Sequence, residues 1–334
     1  MSYTDETFRK LKVARVMSDS DDQEVTSLDF TPDGSQLLTA SNDHGLRVYD
    51  CGDQGILKKT LFARKFGISL ARFMHDPSTV VCASNNEHSD FALRYWTLHD
   101  NRFLRYFKGH RAKVTSLHVC PKDDQIVSAA HDGTIRLWDV RQEDSTGFIR
   151  LANNFKPSVA FDNKGLVFAA TINENDINLY STNDPTAGPF QTISHPKIGL
   201  VDKMKFSADG TYLILSGASS VVYLVDTYAQ TNSVTREYEF MGGNAVINDA
   251  CLTPDGAYVI GGTSTGVVAV WETMAKPKGK EHLEDPDLIG ERIYDTVAMI
   301  ENRHLSGINC VQCSPATLLV ATSCRNLNLW LPEL

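Results

Sequence analysis

The sequence predicts an all-β chain: a seven-bladed β-propeller built as one domain over residues 1–334. Three observations predict it. One phrase recurs along the chain, its copies follow one another at a near-constant period, and an alternating run stands ahead of the first copy with no copy of its own. The phrase is an alternating run, a Pro/Asp/Gly turn, an apolar run, a polar turn and a strand ending in an aromatic. VTSLHVCPKDDQIVSAAHDGTIRLWDV at 114–140 is its clearest copy.

Taken in order, the first element is the run Leu11–Met17, in which Leu11, Val13, Arg15 and Met17 alternate with Lys12, Ala14 and Val16. VTSLDFTPDGSQLLTASNDHGLRVYD at 25–50 is the first copy, and a weaker one covers 68–99. After the copy at 114–140 come a weak one at 157–181, VDKMKFSADGTYLILSGASSVVYLVD at 201–226, INDACLTPDGAYVIGGTSTGVVAVWE at 247–272, and a last weak one at 308–334. The markers Tyr49, Trp96, Trp138, Tyr180, Val225, Trp271 and Trp330 are separated by 47, 42, 42, 45, 46 and 59 residues. Four-stranded blades repeat at about 40–45 residues, so the last interval carries a long insertion. Each copy holds three strands and is followed by a fourth, except the seventh, which ends too soon. The run at 11–17 supplies that strand and closes the ring, which also removes an exposed sheet edge. A β-sandwich or two smaller β domains would leave seven near-equal periods unexplained. The insertion TMAKPKGKEHLEDPDLIGER at 273–292 reads as a mobile, solvated loop where the third and fourth strands of a blade connect.

Composition narrows the function classes. With 41 acidic against 32 basic residues and a net charge of −9, most of the surface would repel nucleic-acid phosphates, and no direct nucleic-acid binding is expected. The start MSYTDETFRKLKVARVM lacks the apolar stretch of a secretory signal, and the longest apolar runs, such as VVYLV at 221–225, are far too short for a membrane span. The expectation is a soluble intracellular chain. Seven scattered cysteines suit a reducing compartment. The close pair Cys310 and Cys313 lies in a run that reads as a strand, where residues three apart face opposite ways, and no further Cys or His completes a zinc set. No metal and no cofactor is expected.

His110, Ser128 and Asp132 invite a hydrolase triad. Together with Trp138 they instead occupy the positions of the WD-repeat motif. There a His from the loop ahead of a blade is hydrogen-bonded among the turn Asp, the Ser and the Trp nitrogen, satisfying buried polar groups and fixing the blade. GGTSTG at 261–266 has neither the Lys nor the following helix of a phosphate-binding loop and reads as a hairpin turn. No catalytic constellation is left, and a non-enzymatic binding platform is expected.

Two basic segments read as inter-blade connections on one face of the ring. KKTLFARKFG carries Lys58, Lys59, Arg64 and Lys65, and NRFLRYFKGHRAKV carries Arg102, Arg105, Lys108, Arg111 and Lys113. Interleaved with Phe66, Phe103, Tyr106 and Phe107, these cations point to an acidic or phosphorylated peptide as partner. Strand alternation within RFLRYF turns half of its side chains away from any one surface.

TLHDNRFLRYFKGH at 97–110, TIRLWDVR at 134–141, GLVFAA at 165–170, GPF at 188–190 and the ending NLWLP at 328–332 resemble a known family. It is the WD-repeat subunit shared by the COMPASS SET-domain histone methyltransferase complex and by nuclear cleavage/polyadenylation and phosphatase complexes. The likeness covers nearly the whole chain and departs from it at 273–305. It implies a nuclear, non-enzymatic adaptor partnering the SET-domain methyltransferase subunit and other COMPASS subunits, which modify the fourth lysine of the histone-three tail. It further implies a link to the phosphorylated tail of transcribing RNA polymerase and a role in transcription termination. WDVR, Trp138–Arg141, matches the W-D-x-R pattern of cullin-RING substrate receptors and keeps that second class open.

Overall fold

The recurring TPDG-type turns explain why the chain folds back at such regular intervals. In the first of them the Asp33 carboxylate accepts hydrogen bonds from the Thr31 hydroxyl at 2.6 Å and from the Ser35 backbone at 3.0 Å, while Gly34 takes φ 68°, which only glycine adopts without strain. Asp209 repeats this with Ser207 and Thr211, and Asp255 with Thr253 and Ala257. Between such turns, period-two strands bury both faces. Gln36–Ser41, Gln125–Ala130 and Tyr258–Thr263 expose almost nothing, as the second strand of a blade packed between two neighbours must.

The computed structural model describes all residues but 1–2, 53–54, 87–89, 152–155, 196–200, 229–233, 243, 275–290, 294, 302–303, 305 and 334. Its strands form seven sheets. Blade 1 is Val25–Phe30, Gln36–Ser41, Gly45–Asp50 and Ile56–Phe62, and blade 2 is Leu70–Phe73, Thr79–Ala83, Leu93–Thr97 and Arg102–Phe107. Blade 3 is Val114–Val119, Gln125–Ala130, Thr134–Asp139 and Gly147–Arg150, and blade 4 is Val159–Phe161, Val167–Thr171, Asp176–Ser181 and Gln191–Ser194. Blade 5 opens with Val201–Phe206, Tyr212–Gly217, Val221–Asp226 and Arg236–Glu239, and blade 6 is Ile247–Leu252, Tyr258–Thr263, Val268–Glu272 and Ala298–Ile300. Blade 7 is Cys310–Cys313, Val320–Ser323 and Leu327–Pro332, completed by the N-terminal strand Leu11–Met17. The architecture is the seven-bladed propeller that the periodicity predicts.

Closure is antiparallel, with Leu11 opposite Pro332, Val13 opposite Trp330 and Met17 opposite Leu327. A short helix, Asp5–Arg9, precedes that strand and is capped reciprocally by Thr4 and Thr7. Its Phe8 is buried between Tyr3, at a ring distance of 5.6 Å, and Tyr258 of blade 6, at 4.8 Å, and the Tyr3 backbone N–H donates to Asp255 at 2.9 Å. The terminus is therefore tied to two blades. Apolar packing lies in wedges between neighbouring blades: Met74, Val81 and Leu93 of blade 2 meet Leu117, Ile126 and Trp138 of blade 3. All four tryptophans are fully buried in such wedges.

One expectation changes. Residues 275–290 of the expected loop at 273–292 lie outside the described residues, but its end is not a loop. Glu291–Ile293 forms a strand that pairs in parallel with Arg236–Glu239, making blade 5 five-stranded. The outer edge of blade 5 offers unpaired backbone groups, and Ile293 gains burial against Tyr238 and Trp271. Three residues among many charges gave too little alternation to signal a strand.

Candidate functional site

His110 stands in the connection from blade 2 to blade 3, Ser128 on the second strand of blade 3, Asp132 in the next turn and Trp138 on the third strand. His110 Nδ1 is 3.2 Å from Asp132 and its Nε2 is 2.7 Å from the Ser128 hydroxyl, which also accepts from Trp138 Nε1 at 2.8 Å. A carboxylate only accepts, so the chain runs one way: Trp138 N–H to Ser128, Ser128 O–H to His110 Nε2, His110 Nδ1–H to Asp132. Burial pushes the Asp132 carboxyl up, but hydrogen bonds from His110, Thr134 and the Arg111 backbone N–H outweigh it and hold the group far below the usual carboxylate range. Ser128 is completely buried, with no surface open to a substrate.

Blade 7 carries a variant that sequence reading missed. Trp330 Nε1 donates to the Thr322 hydroxyl at 2.6 Å, Thr322 lies 2.7 Å from His304 Nε2, and His304 Nδ1 lies 3.1 Å from the Cys324 sulfur. A thiol fills the carboxylate's place. Burial pushes that thiol up, but the His304 hydrogen bond and the Asn326 backbone N–H bring it down to about 6. From His304 to Trp330 is 26 residues, and from His110 to Trp138 is 28. The difference is the hairpin, which closes one paired rung earlier around a turn of the same length, so that Val320 to Trp330 is ten residues where Ile126 to Trp138 is twelve. That spacing was the available signal.

The nine basic residues divide between two surfaces rather than sharing one. Arg64 and Lys65 stand in the connection from blade 1 to blade 2, and Lys108, Arg111 and Lys113 in that from blade 2 to blade 3. These connections lie against the hairpin turns of the same rim: Ala63 N–H donates to His44 at 3.0 Å, Asn86 to Phe66 at 3.2 Å, and His131 to Lys113 at 2.9 Å. Arg111, Lys113, Arg64 and Lys65 are exposed there. Lys58 and Lys59 instead belong to the outer strand Ile56–Phe62, and Arg102 and Arg105 to the outer strand Arg102–Phe107. Lys58 is paired with Asp50, and Lys59 donates to the His99 carbonyl at 3.1 Å, so these two are already engaged. The outer strands begin earlier than the basic segments suggested, which turns the first half of each away from the rim.

Three consecutive blades set an arginine against aromatic rings, with Arg47 and Arg94 buried and Arg136 half-buried. Arg47 lies 5.8 Å from the Phe62 ring, Arg94 lies 3.8 Å from Phe66 and 5.8 Å from Tyr106, and Arg136 lies 5.2 Å from Phe148. Phe62, Tyr106 and Phe148 remain substantially exposed. Cationic rim and exposed rings thus occupy one sector, blades 1 to 3. Such a surface suits recognition of an extended acidic chain with apolar side chains. Among the described residues no group of three or more His, Cys, Asp or Glu could hold a metal ion.

Fold and tetrads define a WD-repeat β-propeller, and the family model for the WD domain, G-beta repeat, matches residues 12–50 and 101–139. The chain is 32% identical over 330 residues to WD repeat-containing protein 82 of Drosophila melanogaster, covering 98% of this chain and 96% of that one. It is 35% identical over 251 residues to the Set1 complex component swd2 of Schizosaccharomyces pombe, covering 71% of this chain and 67% of that one. Against the COMPASS component SWD2 of Saccharomyces cerevisiae it is 30% identical over 257 residues, 74% of this chain and 75% of that one. The chain belongs to this family of WD-repeat proteins.

Proposed function

We propose that the chain is a non-catalytic scaffold subunit of a nuclear COMPASS-type complex methylating the fourth lysine of the histone-three tail. It joins that complex to the phosphorylated tail of transcribing RNA polymerase, and it serves transcription termination within cleavage/polyadenylation or phosphatase complexes. Its relatives named as Set1 complex and COMPASS components support the first part. The observation that carries the second is the cationic rim of Arg64, Lys65, Lys108, Arg111 and Lys113 on a chain of net charge −9. Phosphoserine carries about two negative charges and strong acceptor oxygens, which such a rim is suited to receive.

Two measurements test this. Affinity purification of the tagged chain from nuclear extract, followed by mass spectrometry, recovers a SET-domain methyltransferase with polyadenylation or phosphatase subunits. Recovery of a cullin ligase and its linker instead overturns the reading. In binding assays with a serine-phosphorylated polymerase-tail peptide, Lys113→Glu with Arg111→Glu weakens affinity while the thermal midpoint holds. Unchanged affinity removes the rim from the proposal.

A further inference from the structure

The inner strands bring residues from distant parts of the sequence to one height in the central channel. Asp29 lies opposite Leu38, Arg72 opposite Val81, His118 opposite Val127 and Lys205 opposite Ile214. Each of those partners follows by one the residue that faces the blade's marker, so the four positions are equivalent in their blades. They line a cavity of about 880 Å³, together with Lys203 and Asp249.

The wider cavity wall also carries Glu24, Asp162 and Asp202, but around these four positions donors outnumber acceptors. The Arg72 Nη1 group donates to the Ser27 hydroxyl at 2.6 Å, the Ala71 carbonyl at 2.9 Å and the Leu28 carbonyl at 3.3 Å, leaving its Nε and Nη2 without a hydrogen bond among the described residues. Lys205 Nζ uses two of its three N–H groups, on Asp249 and on the Val311 carbonyl, both at 2.7 Å. The His118 ring makes no hydrogen bond among the described residues. Burial pushes it down to about 3, with Arg72 and Lys205 adding to the effect. On the acidic side, burial pushes Asp29 up to about 6, and Asp249 is committed to Lys203 and Lys205. Arg72, Lys203 and Lys205 thus face two carboxylates, Asp29 and Asp249, which leaves one cation in excess.

We propose that the central channel binds a small phosphate-class oxyanion through the Nε and Nη2 edge of Arg72, the ring N–H of His118 and Nζ of Lys205. This site is separate from the peptide surface on the rim, and its volume admits a phosphate ester as readily as free phosphate.

The test is calorimetric titration of the full chain with inorganic phosphate, with myo-inositol hexakisphosphate, and with sodium chloride at matched ionic strength. Saturable one-to-one binding is expected for at least one phosphate probe, and the tighter probe identifies the source. Arg72→Lys and His118→Gln each weaken it by roughly tenfold or more, the loss of a hydrogen bond to a charged group. His118→Gln removes no existing hydrogen bond, so it remains informative even where Arg72→Lys disturbs the Ser27 contact. No saturation by either probe up to about 10 mM, a dissociation constant too weak to count as a site, overturns the proposal. So does an equal response to sodium chloride, or binding that both variants leave unchanged.

Discussion

The sulfur of Cys324 lies 3.1 Å from Nδ1 of His304, the place that the Asp132 carboxylate takes against His110 two residues deeper in a longer hairpin. A propeller with one carboxylate tetrad and one thiol tetrad has two polar anchors with different acidities.

The thiol anchor makes blade 7 pH-dependent. Cys324 has an ordinary value of 9.0 and is held at about 6 in the fold, so its contribution is full above pH 9 and is lost as pH falls toward 6. Across that window, unfolding stability rises with pH. Cys324→Ala flattens the rise, as urea unfolding followed at several pH values will show, and an unaltered slope would remove the thiolate from the account.

Breaking the tetrad of blade 3 costs stability and not turnover. His110→Ala leaves Ser128 and Asp132 without their shared partner in a buried site, a loss of about 1–3 kcal/mol. The thermal midpoint falls, and the exchange protection of blade 3 amides falls with it. Asp132 is depressed, so its own contribution is present above the unfolded carboxylate range and disappears only in strong acid.

Removing residues 1–17 strips blade 7 of its outer strand and blade 6 of Phe8. The truncated chain is expected to lose cooperative unfolding and to self-associate through the exposed edge of Leu327–Pro332, which size-exclusion chromatography with light scattering detects. Val13→Pro, opposite Trp330, produces a milder form of the same loss.

Asp249 receives Lys205 at 2.7 Å and the Val311 backbone N–H at 2.8 Å, and Lys203 stands 3.4 Å away. Burial pushes its carboxyl up, but the two ammonium groups prevail and keep it below the ordinary value. Asp249→Ala leaves two partly exposed cations without their counter-charge and lowers the thermal midpoint. Added phosphate should recover part of the lost thermal midpoint.

How much was legible followed from how local each signal is. Turn chemistry such as Asp33–Gly34 and period-two alternation act within a few residues, so blade number and N-terminal closure could be read directly. The tetrad of His110, Ser128, Asp132 and Trp138 was readable because its spacing fits the full-length hairpin. The thiol tetrad was not, because a hairpin shorter by two residues shifts Cys324 out of the expected place. The basic segments were found, but not that Lys58, Lys59, Arg102 and Arg105 sit on outer strands, since strand ends depend on pairing with the neighbouring strand. Arg72, His118 and Lys205 come together only through the ring itself and leave no local trace.

The strand Glu291–Ile293 has a mechanical consequence. Leaving blade 6 after Val268–Glu272, the chain crosses to the flank of blade 5 and returns as Ala298–Ile300 to complete blade 6. A pull on either blade must tear this stitch before the two can part. Under force or protease, the pair is expected to yield as one unit, making the opposite side of the circle its weaker hinge.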